Sequence, residues 1–243
     1  MRMKKASLGF LSVVIFIIIW QVSAFRVSNR FLLPYPVDVL RALIDILLTA
    51  STYRIIAHSF YRLLTAIVLA ALAGVSLGLL GGFNRHVDYF FRPLVSALRT
   101  VPVASIIVVI LILYGSRTSL YIITFVMLFP ILFEATKQGV LNINRSLIEA
   151  LSMEAERKGY ALLHLYLPLS MPFIKTGLLQ SIGLGFKVLV MAEFIAQSPV
   201  SIGNALYVGR VNLEYADVFA WTAIIIVIVI AIEQLVNKLK TNG

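Results

Sequence analysis

Apolar residues occur in six long runs along the chain, separated by shorter polar stretches. Each run approaches the roughly 20 residues that a helix needs to cross about 30 Å of hydrocarbon. The third and fourth runs are short, and Pro102 and Pro130 inside them predict kinks or broken ends. We therefore predict an all-α membrane protein with six spanning helices, with five as the alternative. The runs are Leu8–Phe25, Leu63–Phe83, Val101–Tyr114, Leu120–Ala135, Ile174–Ile195 and Val218–Ile232.

A helix of another kind is predicted after the segment Leu33-Pro34-Tyr35-Pro36. Over residues 37–49, apolar side chains recur on one side, while Asp38, Arg41 and Asp45 lie on the other. This spacing is typical of an amphipathic helix that is too polar to span a bilayer. We expect this helix to lie along the outer membrane interface.

Small residues recur every four positions in the second apolar run, which places them along one ridge of a helix. Such a ridge lets another helix approach closely, because packing drives helix association in lipid. The sequence leaves open whether the partner helix belongs to this chain or to a second copy. The small-residue ridge consists of Ala66, Ala70, Gly74, Gly78 and Gly82.

Composition agrees with a membrane location. Of the 243 residues, 60% are hydrophobic and 13% are charged, whereas soluble domains carry about 45 to 50% and about 25%. We treat residues 1–243 as one transmembrane domain. The chain has no cysteine, which excludes disulfides and cysteine-ligated metals. The net charge of +10 does not indicate nucleic-acid binding, because the basic residues fall in short segments between apolar runs.

The basic residues also predict the orientation. Most of them fall in segments that share one side of the membrane if the amino end is cytoplasmic, so both termini are expected in the cytoplasm. The first run also resembles a secretory signal, since a basic amino end and an apolar core precede Val22-Ser23-Ala24. We favour a retained helix over a cleaved one, because the later spans need it to keep the basic loops inside.

The longest stretch between spans is the predicted cytoplasmic loop at residues 137–172. Asn144 or Ser146 can cap a helix there, with Glu149 in its first turns and Gly159 as a stop. Taken alone, this pattern also fits an ordinary amphipathic surface helix.

The loop resembles the cytoplasmic signature of binding-protein-dependent ABC importer permeases: Glu-Ala-Ala, three residues, Gly, nine residues, Ile, one residue, Leu-Pro. Every spacing fits, while Leu151, Ala155 and Leu165 replace Ala, Gly and Ile. Ala155 stands where Gly ends the coupling helix, so here the helix is expected to continue toward Gly159. The residues expected to contact the ATPase subunit are Glu149, Ala150, Leu151, Ala155, Gly159, Leu165, Leu167 and Pro168.

Shorter matches along the chain, such as Tyr114-Gly115 and Phe129-Pro130, look like the nitrate, sulfonate and taurine branch of these permeases. The resemblance implies a homodimer in the bacterial cytoplasmic membrane, with two copies of a cytoplasmic ATPase and an extracytoplasmic solute-binding protein. It also implies that ATP and magnesium bind the ATPase, and that this chain holds no cofactor or metal.

Two charged residues lie within the fifth run, Lys187 and Glu193. A charge at mid-bilayer costs about 2.5 to 3.5 kcal/mol on insertion scales and usually faces a cavity or a partner. Six residues on a helix leave these two about 120° apart, so we do not expect them to pair. One hypothesis places Lys187 on the path of an anionic solute, with Glu193 nearer the outer gate. The alternative is structural, with Lys187 paired to another carboxylate and Glu193 reaching outward.

Other function classes fit less well. His58, His86 and His164 are scattered, and no hydrolase motif or phosphate-binding loop is present, so ATP hydrolysis is expected on a partner chain. The main rival is a stand-alone secondary carrier that uses Lys187 and Glu193. A permease for a vitamin precursor, or for another uncharged or cationic nutrient, stays open because the sequence does not identify the solute.

Overall fold

A computed structural model describes residues 2–29, 32–144 and 165–241 of the chain. All regular structure in this part of the chain is helical. The helices are α1 (Arg2–Val27), α2 (Pro36–Leu48), α3 (Ala50–Phe83), α4 (Arg85–Thr100), α5 (Val103–Leu141), α6 (Leu167–Ala196), α7 (Ile202–Val211) and α8 (Tyr215–Thr241).

Four of these helices, α3, α5, α6 and α8, are long and apolar enough to cross a membrane, and α1 contributes a shorter apolar stretch, Leu11–Val27. The predicted all-α polytopic fold is confirmed. The predicted amphipathic segment forms α2, which packs mainly against α8.

The predicted third and fourth spans are the two halves of α5, which is broken at Gly115. This residue has φ 68° and ψ 174°, a backbone region open almost only to glycine. Just beyond it, the Ser119 hydroxyl donates to the carbonyl of Ile110 at 3.0 Å. In a straight helix these residues would be about 13.5 Å apart along the axis. The chain therefore turns back sharply at Gly115, and residues 103–114 lie against the start of residues 116–141.

The prolines contribute differently from one another. Pro102 lies between α4 and α5 with extended backbone angles, φ −56° and ψ 130°, and it separates the two helices as expected. Pro130 lies inside the second half of α5 and keeps helical backbone angles. Within α5, Gly115 is the residue whose backbone angles are not helical. The break in this region is therefore at Gly115 rather than at Pro130.

The small-residue ridge of α3 packs against the second half of α5, so its partner helix belongs to this chain. A Cβ added at Gly78 would lie 2.6 Å from the carbonyl oxygen of Phe133, and one added at Gly82 would lie 2.5 Å from the Cβ of Val140. Ala70 is fully buried. Backbones this close leave no room for larger residues. The α3–α5 pair, with α6 beside it, forms the centre of the structure.

Gly78→Ala is expected to destabilise the protein by about 1 to 3 kcal/mol, because the added methyl group overlaps backbone that cannot move alone. The matched control is Gly183→Ala on α6, where an added Cβ meets nothing within 4 Å. Thermal unfolding of the purified protein, followed by loss of the monodisperse chromatographic peak, compares the two. Equal unfolding midpoints for both variants would contradict the α3–α5 packing.

Candidate functional site

Glu193, near the end of α6, has a fully buried side chain. Its carboxylate accepts hydrogen bonds from the Ser59 hydroxyl at 2.9 Å, the Arg62 guanidinium at 2.9 Å and the Gly203 backbone N–H at 3.3 Å. A buried carboxylate needs such compensation because burial removes it from water. Glu193 therefore joins α6 to α3 and to the start of α7.

The same network fixes the connection between α6 and α7. Arg62 also donates to the carbonyl oxygens of Pro199 at 3.3 Å and Val200 at 3.5 Å. The Ile202 N–H donates to the Ser59 hydroxyl at 3.2 Å. We call Ser59, Arg62, Glu193 and the amides of Ile202 and Gly203 the Glu193 network.

The first turn of α7 lies directly against α6. A Cβ added at Gly203 would be 2.3 Å from the backbone nitrogen of Phe194. Ser201 caps the helix by accepting a hydrogen bond from the Asn204 N–H at 3.0 Å. Capping and the Glu193 carboxylate satisfy N–H groups that a helix start otherwise leaves unpaired, so α7 is held rigidly on the ends of α3 and α6.

Lys187 and Glu193 lie apart, as their spacing on the helix indicates. Lys187 is exposed and makes no ion pair or hydrogen bond within the described residues, whereas Glu193 is enclosed. The suggestion that Glu193 reaches outward is wrong, since its carboxylate is directed at donors from α3 and α7. Within this chain it does not face open space.

Lys187 belongs to an exposed stripe on α6 whose members recur at helical spacing. The opposite face, which includes Ile174, Gly185 and Leu189, is buried against the rest of the protein. Gly185 lies at the level of Leu128 on α5, so Lys187 stands near the middle of the α5–α6 pair. The exposed α6 stripe consists of Phe173, Gln180, Leu184, Lys187 and Met191.

A charged cluster joins α4 to α5 nearer the predicted cytoplasmic loop. Lys137 has a side chain only 8% exposed, and its ammonium group lies 3.0 Å from Asp88 and 2.7 Å from Glu134. Arg92 adds a bond of 2.8 Å to Asp88. Lys137 also lies 5.5 Å from the ring centre of Phe133. These contacts hold α4 along the inner part of α5.

Burial alone would raise the pKa of the Asp88 carboxyl, but hydrogen bonds from Lys137 and Arg92 outweigh it and hold that pKa below its usual value. The stabilisation from this lowered pKa is therefore present above the pKa of Asp88 in the unfolded chain. It is lost as pH falls through the lower pKa of the folded chain.

A cavity of about 490 Å³ opens beside this cluster, between the end of α4, the second half of α5 and α6. We call it the inner pocket. Arg99, Gln138 and Gln180 line it, together with Glu134 and Leu184. Gln180 and Leu184 also belong to the exposed α6 stripe, so the pocket continues toward Lys187.

The predicted docking loop is only partly described. Glu149, Ala150, Leu151, Ala155 and Gly159 lie outside the described residues, so the coupling helix and its end near Gly159 stay predictions. The last three positions lie just before α6 and in its first two residues. They are the half-buried Leu165 and Leu167 and the exposed Pro168.

The two ends of this loop are held close together. A Cβ added at Gly139, near the end of α5, would lie 2.9 Å from the Cβ of Ser170 on α6. The ring of Tyr166 also packs edge-on against Phe83 at the end of α3, with centroids 5.3 Å apart. The segments on either side of the predicted loop, the end of α5 and the start of α6, are therefore packed firmly against each other. We call them the firmly packed base.

Sequence reasoning missed the partners of Glu193. Ser59 and Arg62 come before the second apolar run predicted from the sequence, whereas α3 begins at Ala50 and includes them. Their spacing of three residues, which places both on one helix face with Ala66, was the available signal. The pairing of Asp88 and Glu134 with Lys137 was missed as well.

Comparison with known proteins gives a consistent result. Residues 70–237 match the family described as "Binding-protein-dependent transport system inner membrane component". The chain is 25% identical over 223 residues to a putative aliphatic sulfonates transport permease of Bacillus subtilis. The aligned part covers 90% of this chain and 80% of that protein. It is 27% identical over 201 residues to the taurine transport system permease of Escherichia coli, covering 80% and 73%. A putative ABC transporter permease of Methanocaldococcus jannaschii is 30% identical over 228 residues, covering 91% and 83%.

Proposed function

Because this chain belongs to the inner membrane components of binding-protein-dependent transport systems, we propose that it forms the transmembrane path of an ATP-driven importer for a small anion. Two relatives are named for aliphatic sulfonates and for taurine, and both names describe molecules with a sulfonate group. These names support a solute that carries an anionic oxyanion group, although they describe the relatives and not this chain.

The observation that carries the anion proposal is the position of Lys187. It lies near mid-height on a spanning helix, it is exposed, and it has no carboxylate partner within the described residues. An unpaired charge at that depth is unfavourable against lipid, so it is expected to face water or another protein surface. A water-filled path that passes Lys187 would have a positive potential that attracts an anion.

The exposed α6 stripe also supports a second copy of this chain as partner. Gln180 and Lys187 are polar residues on a membrane-spanning surface, and such residues are seldom exposed to lipid. Two copies that face each other through this stripe would enclose a polar path between them. Two ATPase subunits would then bind the two copies of the 149–168 loop, and a solute-binding protein would deliver the anion from outside.

Lys187→Met is expected to lower uptake of the anion by about tenfold or more, because a factor of ten is only about 1.4 kcal/mol and one charge contact supplies that much. ATPase association should be unchanged, since the substitution is distant from the predicted loop. The assay is initial uptake of radiolabelled methanesulfonate by proteoliposomes that contain the chain, its ATPase and its solute-binding protein.

The matched control is Lys175→Met, which removes an exposed charge from the same helix nearer its cytoplasmic end. This control should retain most of the uptake. If both variants transport as well as the unmodified protein, Lys187 does not line the path.

A further inference from the structure

We infer that the inner pocket binds the oxyanion group of the transported solute, with Arg99 as the residue that holds it. The inference rests on the proposed function and deepens it, because it assigns a second contact site below Lys187. The pocket is formed by three different helices, α4, α5 and α6.

One cation beside the pocket, Arg99, has no carboxylate partner within the described residues. The two carboxylates of the charged cluster, Asp88 and Glu134, both bind Lys137, and Asp88 also binds Arg92. Each carboxylate therefore has a cation within 3.0 Å. Arg99 has no ion pair or hydrogen bond within the described residues. Arg99 and Glu134 are the charged residues that line the pocket, and Glu134 is neutralised by Lys137. The Arg99 charge is therefore the one left to attract an anion among the described lining residues.

The groups that line the pocket suit an oxyanion in particular. A guanidinium is a planar fork of N–H donors that matches the spacing of two oxygens on one centre. Gln138 and Gln180 add amide N–H donors, and neither side chain is hydrogen-bonded within the described residues. The volume of about 490 Å³ is in the usual range for sites that bind small molecules.

The position of the pocket fits a path that begins at Lys187. Leu184, which lines the pocket, precedes Lys187 by three residues, a rise of about 4.5 Å along α6. Gln138 lies close to the end of α5, from which the predicted cytoplasmic loop begins. An anion that passes Lys187 toward the cytoplasm would therefore reach Arg99 next.

The phosphate of an anionic lipid headgroup offers the same oxyanion chemistry, because the pocket is open at the protein surface. A test must therefore distinguish a dissolved anion from a lipid. The absence of cysteine from the chain allows a single reporter thiol at Leu184→Cys, which leaves Arg99, Gln138 and Gln180 intact.

The experiment compares two methanethiosulfonate reagents on the full chain in nanodiscs of phosphatidylcholine. One reagent carries a sulfonate and the other a trimethylammonium group. We expect Arg99→Gln to lower the ratio of the anionic to the cationic labelling rate by about three- to tenfold, since a nearby unit charge acts on the two reagents with opposite sign. The matched control is Arg85→Gln at the start of α4. It lies about 21 Å along the helix from Arg99, well beyond a Debye length of about 8 Å, and should leave the ratio unchanged.

Protection of the thiol then identifies the source of the anion. Millimolar methanesulfonate should slow labelling in neutral nanodiscs, and Arg99→Gln should remove this protection. Protection by phosphatidylglycerol alone would overturn the solute site and assign the pocket to a lipid. A rate ratio that Arg99→Gln leaves unchanged, or a thiol that reacts with neither reagent, would overturn the inference altogether. None of these readouts requires transport. The labelling experiment can therefore fail while the Lys187 uptake test succeeds, and the uptake test can fail while the labelling experiment succeeds.

Discussion

Glu193→Ala is expected to destabilise the protein by about 3 to 5 kcal/mol, the usual cost of removing one partner of a buried ion pair. The substitution leaves the Arg62 guanidinium, with a side chain only 14% exposed, without its carboxylate. It also leaves the Gly203 N–H without its acceptor and the buried Ser59 hydroxyl without one of its partners. The loss is expected to separate α7 from α3 and α6.

The measurement is the midpoint of thermal unfolding of the purified protein. Glu233→Ala serves as the control, because Glu233 is an exposed carboxylate on α8 and should change stability by less than about 0.5 kcal/mol. Glu193→Gln keeps an acceptor and should fall between the two, which keeps the test usable if the Ala variant fails to fold.

A double substitution tests whether the network acts as one unit. Arg62→Met combined with Glu193→Ala should cost less than the sum of the two single changes, since the second removal no longer leaves a buried charge unpaired. Strictly additive losses would show that Arg62 and Glu193 do not interact, contrary to the 2.9 Å contact.

Local patterns were enough to predict the apolar helices and α2, whereas α4 and α7 were not predicted. Long apolar runs indicate spanning helices, and the alternation of Asp38, Arg41 and Asp45 with apolar residues indicates α2. The small-residue ridge also follows from spacing alone, because residues four apart lie on one side of a helix. None of these features depends on which helices are neighbours.

Contacts between distant segments could not be predicted in this way. Arg62 and Glu193 are 131 residues apart in sequence, and helical periodicity states only which residues share a face of one helix. For the same reason the sequence did not show which helix packs against the small-residue ridge. The close approach of Gly78 to α5 identifies that helix. The sharp turn at Gly115 depends on a backbone angle, φ 68°, that hydropathy does not indicate.

The exposed face of α6 shows a further limit. The sequence identified Lys187 as a charge that is energetically unfavourable within a span. Only the structure shows that Gln180 and Leu184, which lie on the same exposed stripe, also line the inner pocket. Arg99 lies on α4, a different helix, and its place beside Gln138 and Gln180 follows from tertiary packing. A pocket built from several helices is therefore visible only once the helices are placed.

Glu149→Arg is expected to abolish association with the ATPase subunit. Glu149 is expected to hold the acidic first position of the coupling motif, so the change would turn attraction to a basic partner surface into repulsion. It also places a positive charge in the first turns of the predicted helix, where the helix dipole disfavours it. The firmly packed base formed by Gly139 and Ser170 is expected to be unaffected, so the variant should fold. Glu154→Arg makes the same charge change at a position that the motif leaves unspecified, and should retain association.

We expect this chain to transport an anion only when a separate ATPase drives it through the 149–168 loop. The most direct measurement is ATP-dependent uptake of radiolabelled methanesulfonate by proteoliposomes supplied with the solute-binding protein, with and without the ATPase. We predict uptake for the unmodified chain and for Glu154→Arg when the ATPase is present, and none for Glu149→Arg or for any chain without the ATPase. Uptake by the chain alone would identify a secondary carrier, and full uptake by Glu149→Arg would show that the loop does not couple the ATPase.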